Sequence, residues 1–169
     1  MQDTIVFRNA TPEDIARIRD IACRTWPATF GKVMPPEQIT YMLDLIYNAG
    51  SLRQQMTEKG HHFILVEKEG QSLGYASYEA GYAGEPQLMI HKLYLLPETH
   101  GMGLGKKTLD HLSGIAGRYG NKALRLKVFY LNDKAIGFYE KYGFCKQGDE
   151  VTPIGNGYEI LDYVMIKMI

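Results

Sequence analysis

The sequence predicts an α/β domain in which a mixed sheet is covered by helices on both faces. Three observations favour this fold class. The length of 169 residues fits one domain, at roughly 150 residues per domain. Stretches of strand and helical periodicity alternate without an internal repeat or a low-complexity linker. The second half has the order strand, helix, strand, helix, strands, which favours a mixed sheet. We therefore expect residues 1–169 to form a single domain.

The first half is predicted to insert helices into a series of strands. Ile5 and Phe7 alternate with polar neighbours and indicate a strand. Thr11 and Pro12 then offer an N-cap and a proline for the start of a helix. Residues 26–31 are predicted to be an aromatic linker after that helix. Further helices are expected from residues 36 and 51, and strands over residues 62–67, 72–80 and about 88–96.

The second half begins with a strand that ends at Pro97 and a glycine-containing segment over residues 100–107. Apolar residues at helical spacing from Leu104 to Tyr119 then predict an amphipathic helix. A strand over residues 124–128, a helix over 134–142, a strand after Gly143 and a closing strand over 159–167 complete the predicted order.

Composition excludes several classes of protein. The 19 Lys and Arg balance 19 Asp and Glu, and 45% of residues are hydrophobic, which together exclude intrinsic disorder. A net charge of zero also argues against a nucleic-acid or membrane-surface partner. Cys23 and Cys145 stand far apart without ligand spacing, so we expect buried thiols, no disulfide and no metal site. With no targeting or membrane-spanning pattern, a cytoplasmic location is expected.

The glycine-containing segment carries the most functional information. It follows a strand and opens a helix, where backbone N–H groups and the helix dipole favour an anion. Glycine lets these amides approach a phosphate because no Cβ intervenes. A nucleotide P-loop is excluded, since His100 and Lys107 stand where it needs Gly and Ser or Thr. A dinucleotide fingerprint is excluded as well, since Lys106 and Thr108 stand at its third glycine position.

Two motifs together resemble those of the GNAT family, the GCN5-related N-acetyltransferases. The first is His100-x-x-Gly103-x-Gly105, similar to the family's Gln/Arg-x-x-Gly-x-Gly/Ala, with His100 as a departure. The second, over residues 132–144, resembles Asn-x-x-Ala-x-x-Phe-Tyr-x-x-x-Gly-Phe. The resemblance covers residues 87–145 specifically. A weaker resemblance, to bacterial spermidine/spermine acetyltransferases, lies in residues 26–31, the helices that follow and residues 92–97.

The resemblance implies a GNAT fold with a mostly antiparallel sheet, in which two parallel strands splay apart to hold acetyl-CoA. Backbone groups of residues 93–95 would bind the pantetheine arm and polarise the thioester carbonyl. Amides of residues 101–106 would bind the pyrophosphate. The implied cofactor-binding residues are Leu93, Tyr94, Leu95, His100, Gly101, Met102, Gly103, Leu104, Gly105, Lys106, Asn132, Ala135 and Tyr139.

Candidate catalytic residues come from the same resemblance and from acid–base chemistry. Tyr139 matches a family tyrosine that protonates the departing thiolate, while the alternative is an aromatic side chain in the core. Met89 stands where several members carry a glutamate base. His91, on the same strand, is our first candidate base and Glu79 the second. The alternative for His91 is a partly exposed strand residue. His61, His62 and His111 are expected to be solvated.

The expected acceptor is a primary amine of a small molecule, with a polyamine as one candidate. Trp26, Phe30 and Glu79 are the candidate substrate-binding residues, because aromatic rings and carboxylates suit a cationic amine. Neither cysteine stands in a nucleophile context, so direct acetyl transfer is expected. Acetylation of a protein N-terminus or lysine, and a non-catalytic acyl-CoA-binding regulatory role, remain alternatives. A homodimer is left open.

Overall fold

The computed structural model describes residues 4–169, which form seven strands and five α-helices with short 3-10 turns between them. The strands and helices follow one another as β1 (Ile5–Asn9), α1 (Ile15–Phe30), α2 (Pro36–Tyr47), α3 (Ala49–Thr57), β2 (His62–Lys68), β3 (Gln71–Glu79), β4 (Gln87–Leu95), α4 (Leu104–Arg118), β5 (Ala123–Phe129), α5 (Asp133–Tyr142), β6 (Cys145–Gly155) and β7 (Tyr158–Met168).

Hydrogen bonds connect the strands in the order β1, β2, β3, β4, β5, β7, β6. The pairs β1–β2, β2–β3, β5–β7 and β6–β7 are antiparallel, whereas β4 and β5 run parallel. The parallel register joins Gln87–Ile90 to Ala123–Leu126, and β4 continues beyond it to Leu95. The predicted mixed, mostly antiparallel sheet is therefore confirmed.

The hairpin between β2 and β3 shows how the local sequence fixes this topology. Glu69 and Gly70 form its two-residue turn, with φ angles of 52° and 78°. Two positive φ angles are the geometry of a type I′ turn, whose twist matches that of antiparallel strands. The turn sets the register that pairs Lys68 with Gln71.

The chain divides into two compact units that share strand β4. The first unit contains the described residues up to Glu79 together with His91–Leu112, and its core includes Ile18, Leu52, Leu65, Tyr75 and Leu109. The second contains Ala80–Ile90 and Ser113–Ile169, with Leu88, Leu124, Leu126 and Met165 in its core. A single domain over residues 1–169 stays a prediction.

The predicted linker over residues 26–31 is wrong, because helix α1 continues through Pro27 to Phe30. A proline inside a helix costs about 3 kcal/mol, since it removes one hydrogen bond and crowds the preceding turn. Trp26 and Phe30, four residues apart, are each only 4% exposed, and burial of two aromatic side chains offsets that cost. The carbonyl that loses its donor belongs to Cys23, which is exposed to solvent.

Strands β3 and β4 approach each other closely at Gly74. A Cβ built there would lie 2.5 Å from the Tyr94 carbonyl oxygen and 2.6 Å from Leu95 Cδ2. The Leu96 amide, just after β4, donates to the Leu73 carbonyl of β3 at 2.8 Å. Any side chain at residue 74 must therefore displace the backbone of β4.

We expect Gly74→Ala to lower the free energy of unfolding by about 1–3 kcal/mol, the usual cost of overpacking. Urea unfolding followed by circular dichroism measures the change. Gly148→Ala is the matched control, since a Cβ at that strand position meets no atom within 4 Å. Equal stability of the two variants would contradict the close approach.

The structure tests the expected burial of the two cysteines. Cys23 and Cys145 are exposed free thiols, so the prediction of buried thiols is wrong. Cys23 lies in α1, and Cys145 begins the edge strand β6. Within residues 4–169, no helix combines the length and apolar character needed to cross a membrane.

Candidate active site

The glycine loop forms a turn that exposes backbone amides at the start of α4. Gly101 and Gly103 adopt φ angles of 87° and 70°, a region that side-chain-bearing residues rarely occupy. The Lys107 amide donates to the Gly103 carbonyl at 3.2 Å, the i to i−4 bond of the helix. The amides before Lys107 belong to the first turn, where a helix has no partner for them within its own backbone. They are the donors that an anion would meet.

The loop also leaves room for a ligand. A Cβ built at Gly101 or Gly103 would meet no atom within 4 Å, and residues 100–103 are exposed. Lys106 donates to Asp110 at 2.9 Å on the exposed face of α4, so part of its charge is already compensated. The groups of the loop that can bind an anion are therefore mainly backbone amides. This geometry fits a pyrophosphate group.

A hydrogen-bonded pair of titratable side chains lies on β4 and the neighbouring strand β3. His91 Nε2 lies 3.1 Å from Glu79 Oε1, and the His91 side chain is 16% exposed. The structure thus brings together the first and second candidate bases named from the sequence. A carboxylate that accepts from one ring nitrogen fixes the tautomer and orientation of an imidazole.

His61, immediately before β2, stacks on His91 with ring centroids 3.8 Å apart and planes 14° apart. Its side chain is 15% exposed, so the expectation that it is solvated is wrong, whereas His62 is exposed as expected. Burial, with help from the charges of His91 and Lys92, lowers the pKa of His61 to about 4. The ring is therefore neutral near pH 7.

The expectation that His111 is solvated is wrong as well, because its ring stacks on Phe7 at 4.3 Å.

Lys92 is a half-buried cation close to this cluster. Its Nζ donates to Gln55 Oε1 at 2.7 Å and lies 5.5 Å from the centre of the Phe63 ring. Burial lowers the pKa of this ammonium to about 8. One signal is present in the sequence: Lys92 and its neighbour His91 interrupt the apolar residues of β4.

The two predicted aromatic acceptor residues lie in the core of the first unit. The Trp26 ring packs against Phe30 at 4.8 Å and against Tyr94 at 5.7 Å, and Tyr94 packs against Tyr75 at 5.8 Å. Trp26 and Phe30 are each 4% exposed. Their part in acceptor binding stays a prediction, and the structure shows them packing β4 against α1.

In the second unit, α5 carries the remaining predicted residues. Asn132 caps this helix, and its side chain accepts from the Ala135 amide at 3.3 Å. Tyr139 is half-buried, and its ring lies 5.4 Å from that of Phe138 and 5.6 Å from that of Phe144. Burial raises the pKa of Tyr139 to about 12, which keeps the phenol protonated at neutral pH.

Comparison with known families decides the classification. The family model described as the acetyltransferase (GNAT) family matches residues 15–144, more than three quarters of the chain. The chain belongs to the GNAT family. Its glycine loop and the start of α5, which carried the resemblance in sequence, lie inside the matched region. GNAT enzymes transfer an acetyl group from acetyl-CoA, so the prediction of an acyltransferase is confirmed.

Two curated GNAT relatives match over nearly their full length. An uncharacterised N-acetyltransferase of Mycobacterium tuberculosis is 27% identical over 154 residues, covering 91% of this chain and 97% of the relative. A peptidyl-lysine N-acetyltransferase of Escherichia coli is 23% identical over 163 residues, covering 96% and 97%.

Solved GNAT structures share the fold. An enzyme from Rhodopseudomonas palustris superposes with a TM-score of 0.83 at 22% identity, covering 100% of this chain and 99% of that one. The PaiA N-acetyltransferase of Thermoplasma acidophilum, solved with coenzyme A, gives a TM-score of 0.78 at 20% identity over 98% and 99%. The predicted GNAT fold is confirmed.

Proposed function

We propose that this protein transfers acetyl from acetyl-CoA directly to a primary amine of a small molecule. The observation that carries the proposal is the pair formed by His91, on the strand that leads into the glycine loop, and Glu79 at the end of β3. A transferase acting on an amine needs a base near neutral pH, because most aliphatic amines are protonated there. Family membership supplies the acyl donor, and the pair supplies that base.

The chain has groups suited to hold acetyl-CoA, which provides an acetyl group activated as a thioester. The exposed amides of the glycine loop are proposed to bind its pyrophosphate, supported by the two positive φ angles and the open space at Gly101 and Gly103. Backbone groups of residues 93–95, beyond the parallel register with β5, are proposed to bind the pantetheine arm. An amide there would stabilise negative charge on the carbonyl oxygen.

His91 is proposed to accept the proton of the attacking amine. Its Nε2–H donates to Glu79, so Nδ1 carries the lone pair of the neutral ring. When the ring becomes protonated, the Glu79 carboxylate stabilises the positive charge at 3.1 Å. Glu79 therefore acts as the positioning residue, and an aliphatic ammonium can also be attracted by its charge.

Tyr139 is proposed to return a proton to the departing thiolate, and its raised pKa supports a neutral phenol. We expect Tyr139→Phe to lower kcat by about 10- to 1000-fold with little change in the Kd of acetyl-CoA. Steady-state kinetics and isothermal titration calorimetry measure the two quantities. Tyr142→Phe, on the same helix, is the matched control. Full turnover in the Tyr139 variant would remove the residue from the mechanism.

The acceptor class is tested by following thiol release from acetyl-CoA with polyamines, amino acids, aminoglycosides and short lysine peptides. We expect turnover with at least one small primary amine. A peptide lysine is the second candidate, favoured by the peptidyl-lysine acetyltransferase among the relatives. Turnover with peptides alone would replace the small-molecule proposal. Binding of acetyl-CoA without thiol release from any amine would support the regulatory alternative.

A further inference from the structure

We propose that His61, Glu79 and His91 form a binding site for a divalent transition-metal ion such as Zn²⁺. Each side chain offers one donor atom, and the three atoms lie within 4.8 Å of one another. Two imidazoles and one carboxylate are a donor set that Zn²⁺ accepts, with a fourth position open to water. The site differs from the acetyl-transfer chemistry, although it shares His91 and Glu79 with the proposed base.

The distances from the Glu79 carboxylate to the two rings are close to those that one ion requires. Tetrahedral ligands at about 2.0–2.1 Å from zinc lie about 3.3 Å apart. Glu79 Oε1 lies 3.1 Å from His91 Nε2 and 3.8 Å from His61 Nε2, one distance on each side of that value. Shifts of a few tenths of an ångström would bring the carboxylate oxygen to ligand spacing with both rings.

His61 supplies an independent observation. Its Nδ1 is buried and has no hydrogen-bond partner, and its Nε2 is too far from Glu79 for a hydrogen bond. A buried polar atom without a partner costs about 1–3 kcal/mol. The His61 ring is therefore not fixed by a hydrogen bond to Glu79. Coordination of a metal ion by a ring nitrogen would give that nitrogen a partner.

An ion can reach the site from solvent, and rotation of one ring would complete the ligand set. The side chains of His61 and His91 are 15% and 16% exposed, and that of Glu79 is 32% exposed, so an ion can enter from solvent. The rings stack face to face, so a shared ion needs one ring to turn about its terminal torsion, which has a broad energy well. The charges of Lys59 and Lys92 oppose a cation, and the Glu79 carboxylate attracts it.

Metal binding has a chemical consequence for His91. The ion takes the place of the proton between His91 Nε2 and Glu79, and that proton moves to Nδ1 of the same ring. The ring then has no lone pair for the proton of an attacking amine. Bound metal is therefore expected to inhibit acetyl transfer, a consequence that rests on the proposed function, whereas binding itself does not.

Metal binding is tested on untagged, EDTA-treated protein in which Cys23 and Cys145 are replaced by serine, because exposed thiolates also bind zinc. Zn²⁺ is titrated in competition with a chromogenic chelator, and Co²⁺ by visible absorption. We expect one ion per chain and no competition from Mg²⁺. His61→Ala should weaken binding by at least about 10-fold, and Glu79→Gln likewise. His62→Ala removes the exposed histidine next to His61 and should bind as the parent does.

The inhibition arm separates this inference from the proposed function. Zn²⁺ should inhibit acetyl transfer by the parent, and the ratio of the rate with added Zn²⁺ to the rate with EDTA should fall much less in His61→Ala. Stoichiometric binding without activity toward any amine would overturn the proposed function and leave the metal site standing. Absence of stoichiometric binding, or equally tight binding by His61→Ala with native circular dichroism, would overturn the metal site.

Discussion

His91→Gln is expected to lower kcat for an aliphatic primary amine by about 100-fold or more, within the range usual for loss of a general base. Glutamine keeps a hydrogen-bonding side chain beside Glu79 but cannot accept and release a proton at neutral pH. The Kd of acetyl-CoA should change little, since the proposed cofactor contacts are backbone groups of the glycine loop and β4. Thiol release under steady-state conditions, with EDTA-treated protein, measures the effect.

Two controls make this result specific. His62→Gln removes an exposed histidine from β2 and should leave turnover unchanged. An acceptor whose amine has a pKa well below the assay pH is already largely deprotonated, so it should lose much less rate in the His91 variant. Equal losses for acceptors of high and low amine pKa would contradict the role of His91 as a base.

Gly103→Val is expected to weaken acetyl-CoA binding by at least about 100-fold, to the point where calorimetry no longer detects it. The φ angle of 70° strains any side-chain-bearing residue, and a β-branched one most. The valine methyl groups would also fill the open space in front of the loop amides, where the pyrophosphate is proposed to lie. The expected loss is about 2.7 kcal/mol or more of binding free energy.

Gly120→Val is the control that separates the loss of cofactor binding from the cost of backbone strain. Gly120, just after α4, has a φ angle of 72° and also meets no atom within 4 Å of a built Cβ. The two variants should lose similar free energy of unfolding, and only Gly103→Val should lose the cofactor. Cofactor binding that survives in Gly103→Val would show that the loop does not hold the phosphates.

Much of the fold follows from local rules that the sequence displays. The two strands that flank the turn at Glu69 and Gly70, and the glycine loop that opens α4, were predicted because their signals lie in residues adjacent in sequence. The end of α1 was mispredicted because Pro27 is a local signal for the end of a helix. Burial of Trp26 and Phe30 against residues distant in sequence outweighs it.

The candidate site was predicted in part for the same reason. His91 and Glu79 could be named from strand parity and chemistry, but their hydrogen bond depends on how β3 and β4 pair. His61 was missed because a histidine at a strand end carries no periodic signal. Its stacking on His91 arises only when three strands come together in the first unit. Long-range contacts of this kind are not encoded within a short window of sequence.

Because both cysteines are exposed, each of the two compact units can be labelled at its own cysteine. Cys23 lies in the first unit and Cys145 in the second, so a maleimide reaction places one label on each. A donor and acceptor dye pair would then report the distance between the units by energy transfer. Titrating acetyl-CoA into such a doubly labelled protein would show directly whether cofactor binding changes that distance.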